Sequence, residues 1–313
     1  MQLKLDGAVS PSSTPAKVSA FGEDKGSLYG IMMMQLSALL FATNDMVVKL
    51  IGVALPAGQI GFMRGCFAIV LLFGMLLFSG QIRMIRQASG KRVLMRGGLE
   101  AIAALLYLIS LQQLPLANYT SFVMVIPLVA TAAAALFLSE RVGIRRWSAI
   151  ILGLLGVLVI VRPGLDGYNS FSLFALAATF IAAARDLVTR RLPQGSALWV
   201  VALSTMILMT SAAFLYGLTE DWGVPSLYHL VLLAFSALFM TLGQAAVMIA
   251  IGQGDFSAVA PFRFMGLVFA LIYGFVFWGD MPDGLTWLGI LLVLSSGLYA
   301  MYRERQLARN IRT

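Results

Sequence analysis

Charged residues are scarce in this chain. Of 313 residues only 12% are Asp, Glu, Lys or Arg, while 60% are hydrophobic. A soluble domain carries about a quarter charged residues, so a surface that faces water on all sides is excluded. Cysteine is down to Cys66 alone, which rules out an intrachain disulfide. One histidine and no Cys/His/Asp cluster leave no candidate metal centre. No Gly-x-x-x-x-Gly-Lys-Ser/Thr loop is present, so the chain is not by itself an ATP-driven pump. A membrane enzyme needs a polar catalytic cluster or a large interfacial loop, and the longest internal connection, 79–93, is short and basic. The net charge of +8 does not point to nucleic acid, because the basic residues lie in short loops between apolar runs.

What the chain has is apolar length. A spanning helix needs about 20 mostly apolar residues. Ten runs qualify: Ser27–Leu50, Gly58–Phe78, Leu94–Gln113, Asn118–Leu138, Trp147–Val161, Phe171–Thr189, Ala197–Gly217, Ser226–Gly252, Ser257–Gly279 and Leu285–Tyr302. The fifth is short and the eighth long. The polar stretch 1–26 has no apolar core behind a basic start, so it reads as a disordered cytoplasmic tail rather than a cleaved signal peptide. Lys and Arg concentrate on one side: Arg83, Arg86, Lys91, Arg92, Arg96, Arg141, Arg145, Arg146, Arg190, Arg191 and the tail 303–313, together with Lys4, Lys17 and Lys25. The opposite loops hold Arg162 among acidic Asp166, Glu220, Asp221, Asp280 and Asp283. The positive-inside rule then places both termini in the cytoplasm.

The chain also echoes itself. Asp45-Met46-Val47-Val48-Lys49 returns as Asp186-Leu187-Val188-Thr189-Arg190, and Leu55-Pro56-Ala57-Gly58 as Leu192-Pro193-Gln194-Gly195. Gln113, Phe137, Glu140, Trp147 and Ile150 return as Gln253, Phe277, Asp280, Trp287 and Ile290. Five crossings reverse direction, so the second copy enters the bilayer from the opposite side. The fold expected is therefore an all-α membrane protein of ten transmembrane helices in two inverted-topology five-helix repeats, 27–164 and 165–302. Such pairs favour a midplane site and alternating access. Glu140 is expected at the inner face and Asp280 at the outer one.

The stretch Trp147 to Gly164, ending Val-Ile-Val-Arg-Pro-Gly, resembles the fifth-helix region of EamA-type members of the drug/metabolite transporter superfamily. Glu140 and Arg64 resemble that family too. The resemblance covers about Gly30 to Tyr302 and implies ten helices, a bacterial inner-membrane location and solute transport. The segment Asn44-Asp45-Met-Val-Val-Lys49 is similar to members that move S-adenosylmethionine or riboflavin.

A charge at mid-bilayer costs at least ~2.5–3.5 kcal/mol on insertion scales, so each one should face protein or water with a partner. Asp45 and Lys49, and Asp186 and Arg190, are spaced to meet on one helix face. Shared by both copies, they are expected to be scaffold or gate pairs at opposite ends. Residues that break the repeat speak to cargo: Arg64 is matched by Val201, Glu100 by Met240 and Arg263 by Val123. Each enters its helix by roughly 9 Å at 1.5 Å per residue. An Arg holds a carboxylate or phosphate bidentately, and Glu100 could pair with an Arg, meet an amine or carry a proton. Tyr107 shares the Glu100 face. The substrate-binding candidates are thus Arg64, Glu100, Tyr107 and Arg263, with a buried Arg–Glu pair holding the bundle as the plainer alternative. No cofactor is expected. The reading is a secondary carrier for a small metabolite, with uptake of riboflavin or S-adenosylmethionine ahead of export of amino acids or related metabolites. Its partners are the cargo and the lipid bilayer; a monomer suffices and a homodimer is open.

Overall fold

A computed structural model describes residues 20–137, 143–162, 169–192, 197–253 and 259–312. Among them the backbone forms ten α-helices: α1 Ala20–Ile51, α2 Ala57–Phe78, α3 Lys91–Gln113, α4 Leu116–Phe137, α5 Ile144–Val161, α6 Phe171–Arg190, α7 Leu198–Gly217, α8 Leu227–Gln253, α9 Met265–Trp278 and α10 Gly284–Arg312. A 3₁₀ turn, Ala260–Phe264, leads into α9, and a 3₁₀ segment, Gln81–Ser89, joins α2 to α3. Nine of the described helical stretches are long and apolar enough to cross a bilayer, and Trp147–Val161 is the shorter apolar one. Helices are the form such stretches take, because lipid leaves backbone polar groups no partner but each other. Large apolar side chains such as Val70, Phe78, Leu215, Leu227 and Val276 point outward, which in a bilayer is the lipid face.

The contacts between helices carry the inverted repeat. Exchange α1–α5 for α6–α10 and the largest contacts map onto one another, while those of α4 with α5 and α10 have no counterpart of similar extent. α1 lies on α8 as α6 lies on α3, α2 on α8 as α7 on α3, and α1 on α9 as α6 on α4. The pairs α2–α7, α4–α9 and α5–α10 map onto themselves. Two of these self-matching seams are built on glycine. A Cβ at Gly156 of α5 would stand 2.9 Å from the Gly289 carbonyl oxygen of α10, and one at Gly289 2.7 Å from that of Gly156. Across α2–α7, a Cβ at Gly58 would meet the Gly217 backbone at 2.6 Å. Only glycine permits such an approach, the small-residue packing membrane helices use.

Connections gather at two ends. One holds Glu220, Asp221, Asp280 and Asp283 and is here the acidic end. The other, the basic end, holds Arg83, Arg86, Lys91, Arg92 and Arg191. Three expectations need correction. Helix α1 starts at Ala20 and α10 runs to Arg312, so helix extends past both expected limits, 27 and 302. Polar residues end an apolar run without ending a helix, since Glu, Lys, Gln and Arg are good helix formers. The 79–93 connection is not simply a basic loop either. Gln87 Oε1 accepts the Ala197 N–H at 2.9 Å and Gln81 Oε1 that of Trp199 at 3.3 Å, so its amides cap the start of α7. Glu140 lies outside the described residues.

Candidate functional site: a charged line through the bundle

At the acidic end, Lys49 from the last turn of α1 donates to the Leu114 carbonyl at 2.6 Å, and its Nζ lies 3.7 Å from Asp280 Oδ2. The same ammonium sits 5.0 Å from the centroid of the Trp278 ring, a cation–π distance. One side chain thus ties α1 to the α3–α4 connection and to the end of α9. This corrects the expected Asp45–Lys49 pair. The long Lys side chain extends toward the polar end, and Asp45 turns its Oδ1 to the Asn44 amide at 2.9 Å. Asn44 in turn accepts from Ser236 of α8 at 2.7 Å.

Two further ties close this end. Arg162, in a left-handed conformation with φ 51°, donates to Asp283 and, at 2.9 Å, to Thr286 of α10. The guanidinium beside Asp283 holds that carboxyl well below the usual range. Glu220 Oε2 accepts the Gly58 N–H at 2.8 Å and so caps α2 from across the bundle. Burial pushes the Glu220 carboxyl up, against the pull of the backbone N–H groups at the start of α2. A cavity of about 350 Å³ opens here, lined by Asn118, Arg162, Asp280 and Asp283 among others.

Deeper in, Arg64 of α2 is half-buried, with Asp45 and Tyr119 as its electrostatic neighbours. It makes no hydrogen bond or direct ion pair among the described residues. Tyr119 of α4 meets Tyr107 of α3 edge-on, with ring centroids 5.7 Å apart. Tyr107 is anchored by its hydroxyl to Thr179 of α6 at 2.9 Å, and its other charged neighbours are Arg185, Glu100 and Arg263. The two phenol rings therefore stand between two charged groups, Asp45 with Arg64 on one side and Glu100, Arg185, Asp186 and Arg263 on the other.

In the second group Arg185 is the hub. It pairs directly with Glu100 of α3 and holds Asp186 Oδ1 through Nε at 3.0 Å and a terminal nitrogen at 2.7 Å. Arg96 extends the cluster to Thr205 at 2.7 Å and Thr189 at 3.2 Å. Glu100 thus has Arg185 as its partner. Asp186 has Arg185 as its recorded partner, and the side chain of Arg190 lies outside the described residues. Arg263 differs from them all. It precedes α9 and is exposed. It senses Asp186, Arg185 and Tyr107 without a hydrogen bond or direct ion pair among the described residues.

Arg185, Arg96, Tyr119 and Thr179 were not among the candidates. Arg185 was visible as a charge inside an apolar run, but its partner sits 85 residues away, and only the packing of α3 on α6 joins them. His229, at the start of α8, exchanges 3.3 Å hydrogen bonds with Ser226 as a helix cap. Cys66 is exposed on the outside of the bundle.

Inverted halves around an interior charged line belong to the class of membrane solute carriers, and this chain is a multi-pass membrane transporter. Residues 28–162 match the EamA-like transporter family. Over nearly its full length the chain is similar to characterised transporters. A riboflavin transporter of Vibrio cholerae is 28% identical over 91% of this chain and 97% of its own. A pseudopaline exporter of Pseudomonas aeruginosa is 28% identical over 85% and 93%. An S-adenosylmethionine uptake transporter of Rickettsia bellii is 25% identical over 88% and 94%. A solved crystal structure shares the fold with a TM-score of 0.62, at 18% identity over 91% of this chain and 99% of that one.

Proposed function

We propose that this chain is a bacterial inner-membrane secondary carrier that moves a small metabolite by alternating access. Repeats 27–164 and 165–302 rock against each other, and the basic end with both termini faces the cytoplasm. The observation that carries the cargo site is the state of Arg64 and Arg263. Both guanidiniums sit within the bundle without a direct partner among the described residues, one on each side of the Tyr107–Tyr119 contact. A charge set among apolar helices without its pair is costly, so it is kept for something that arrives. Cargo binds Arg64 and Arg263 beside Tyr107, while Glu100 holds Arg185 in the wall. Lys49 and Asp280 close the acidic end, and Asp186 with Arg190 serves the basic end. Asp45 and Asp186 anchor the polar groups of their halves.

Cargo is of the size of riboflavin or S-adenosylmethionine, which two groups of relatives carry by name. Export of amino acids or related metabolites is the second reading, favoured by the pseudopaline exporters among the relatives. A monomer supplies both halves. The test is uptake of labelled riboflavin and S-adenosylmethionine by purified protein in liposomes, with Arg263→Ala beside the parent. Saturable flux with trans-stimulation is expected, and it should fail in Arg263→Ala. Linear flux would mean a channel, and chemical change of the cargo an enzyme.

A further inference from the structure

The 3₁₀ segment Gln81–Ser89 turns once every three residues, so its side chains form three rows. The first row holds Gln81, Met84 and Gln87. Gln87 Oε1 accepts the Ala197 N–H at 2.9 Å and Gln81 Oε1 that of Trp199 at 3.3 Å. Ala197, the N-cap of α7, supplies no side-chain cap of its own, so these acceptors reach α7 from the other half. The second row holds Ile82, Ile85 and Ala88. Ile82 and Ala88 pack against a cluster of Leu72 and Leu76 from α2 with Val200 and Leu203 from α7, and the Ala88 carbonyl accepts from Ser204 at 3.0 Å. The third row, Arg83, Arg86 and Ser89, is exposed. Runs of this kind are seldom long by themselves; this one is held against α7 by two rows and left open along the third.

The open row has no counter-charge. From Met46 to Leu99 the chain holds no Asp or Glu. Arg92 donates to the Arg191 carbonyl at 3.0 Å, and Arg96 to Thr189 and Thr205. The side chains of Arg83, Arg86 and Lys91 are exposed and make no hydrogen bond or ion pair among the described residues. Phe78, Met84 and Ile85 beside them are exposed too, Phe78 at 94%. Cations interleaved with open apolar side chains at the end of a spanning helix match the boundary where head groups meet acyl chains. We propose that this segment is a docking surface for anionic phospholipid, whose phosphates take Arg83, Arg86 and Lys91 while Met84 and Ile85 reach the acyl boundary. Arg holds a phosphate through two parallel N–H donors, and a basic cluster beside a spanning helix is drawn to an anionic leaflet. Lipid bound to the third row keeps Gln81 and Gln87 on α7. The charge of the leaflet thereby steadies the start of a helix in the opposite half.

This inference needs only that the chain spans a bilayer, so it and the carrier reading fail separately. Full-length protein is placed in nanodiscs of phosphatidylcholine alone, or of equal parts phosphatidylcholine and phosphatidylglycerol. Amide hydrogen exchange is then followed at the start of α7. Exchange at Ala197 and Trp199 should slow about fivefold or more in the anionic discs, the worth of one basic residue at such a surface. High salt should abolish the difference in the parent protein, with no variant needed. Arg83→Gln/Arg86→Gln should abolish it too, whereas Arg83→Lys/Arg86→Lys should keep part of it. Gln81→Ala/Gln87→Ala should remove the exchange response while short-chain phosphatidylglycerol still binds in detergent, read by native mass spectrometry. Variants are compared only when they elute as the parent does on size exclusion. Equal exchange in the two discs overturns the inference. A response that survives high salt, the Arg-to-Gln pair or the Gln-to-Ala pair overturns it as well. So does inorganic phosphate that slows exchange equally in the neutral discs, which would mean an adventitious ion only.

Discussion

Lys49 and Asp280 lie 231 residues apart in sequence and 3.7 Å apart in space. The first ends α1 and the second follows α9, so their contact joins the two halves at the acidic end. The Lys49 side chain is only 10% exposed and that of Asp280 35%, so the pair is shielded on one side only. Replacing Lys49 with Met should loosen this closure. A cysteine at Asn118, in a Cys66→Ser background, should then react several-fold faster with a water-soluble maleimide. An unchanged rate would mean that Lys49 does not close this end.

Breaking the Glu100–Arg185 pair should cost more than removing it whole. Glu100→Gln leaves the Arg185 guanidinium in the bundle with only Asp186, and single losses of this kind cost about 3–5 kcal/mol when fully buried. Both side chains are about a fifth exposed, so the lower part of that range is expected. The double variant Glu100→Gln/Arg185→Gln should recover most of the loss. Thermal unfolding of the four proteins in one detergent provides the cycle.

Arg263→Ala should separate function from stability. The residue has no hydrogen bond or direct ion pair among the described residues, so its loss leaves no orphaned partner. Unfolding temperature should shift by no more than a surface substitution does, within about 0.5 kcal/mol. Cargo flux should fall at least tenfold. Equal losses in both measurements would return Arg263 to the scaffold.

Glu220→Ala should remove the cap that the 217–226 connection places on α2. The expected loss is about 1 kcal/mol, the usual worth of an N-terminal cap, read as a lower unfolding temperature. Glu220→Gln keeps an acceptor for the Gly58 N–H and should lose less.

Acid should untie Arg162 from Asp283. Because the Asp283 carboxyl is held low by Arg162, its ionised form favours the folded state. That contribution is present above the ordinary carboxylate value of about 3.9 and fades as pH falls below it toward the depressed folded value. Wild type should therefore lose its stability margin over Asp283→Asn between about pH 4 and pH 2. Parallel melting curves across that range would mean that the tie contributes nothing.

Sequence patterns gave away the helices, because lipid demands long apolar runs and leaves little else for them to be. The echo of Asp45 in Asp186 and of Gln113 in Gln253 announced the duplication. Pairings were the hidden part. Lys49 looked matched to Asp45 because helical spacing is visible in one dimension, whereas Asp280 and Leu114 reach it only after the bundle closes. Glu100 and Arg185 could not be joined without knowing that α3 lies on α6. Arg263 stood out by breaking the repeat, and its lack of a direct partner became visible only with its neighbours in place.

The seams at Gly156–Gly289 and Gly58–Gly217 bring backbone against backbone, where no layer of side chains can yield. Helices in such contact resist being pulled apart, yet they can tilt about the point where they touch. Both seams join one half to the other, so each can act as the fulcrum of a lever whose arms reach the two faces of the membrane. In a carrier of this construction, an ångström gained at one mouth is an ångström lost at the other. A methyl group at Gly156 or Gly289 would act as a wedge under that fulcrum, stalling the exchange of openings while leaving the cargo's own contacts untouched.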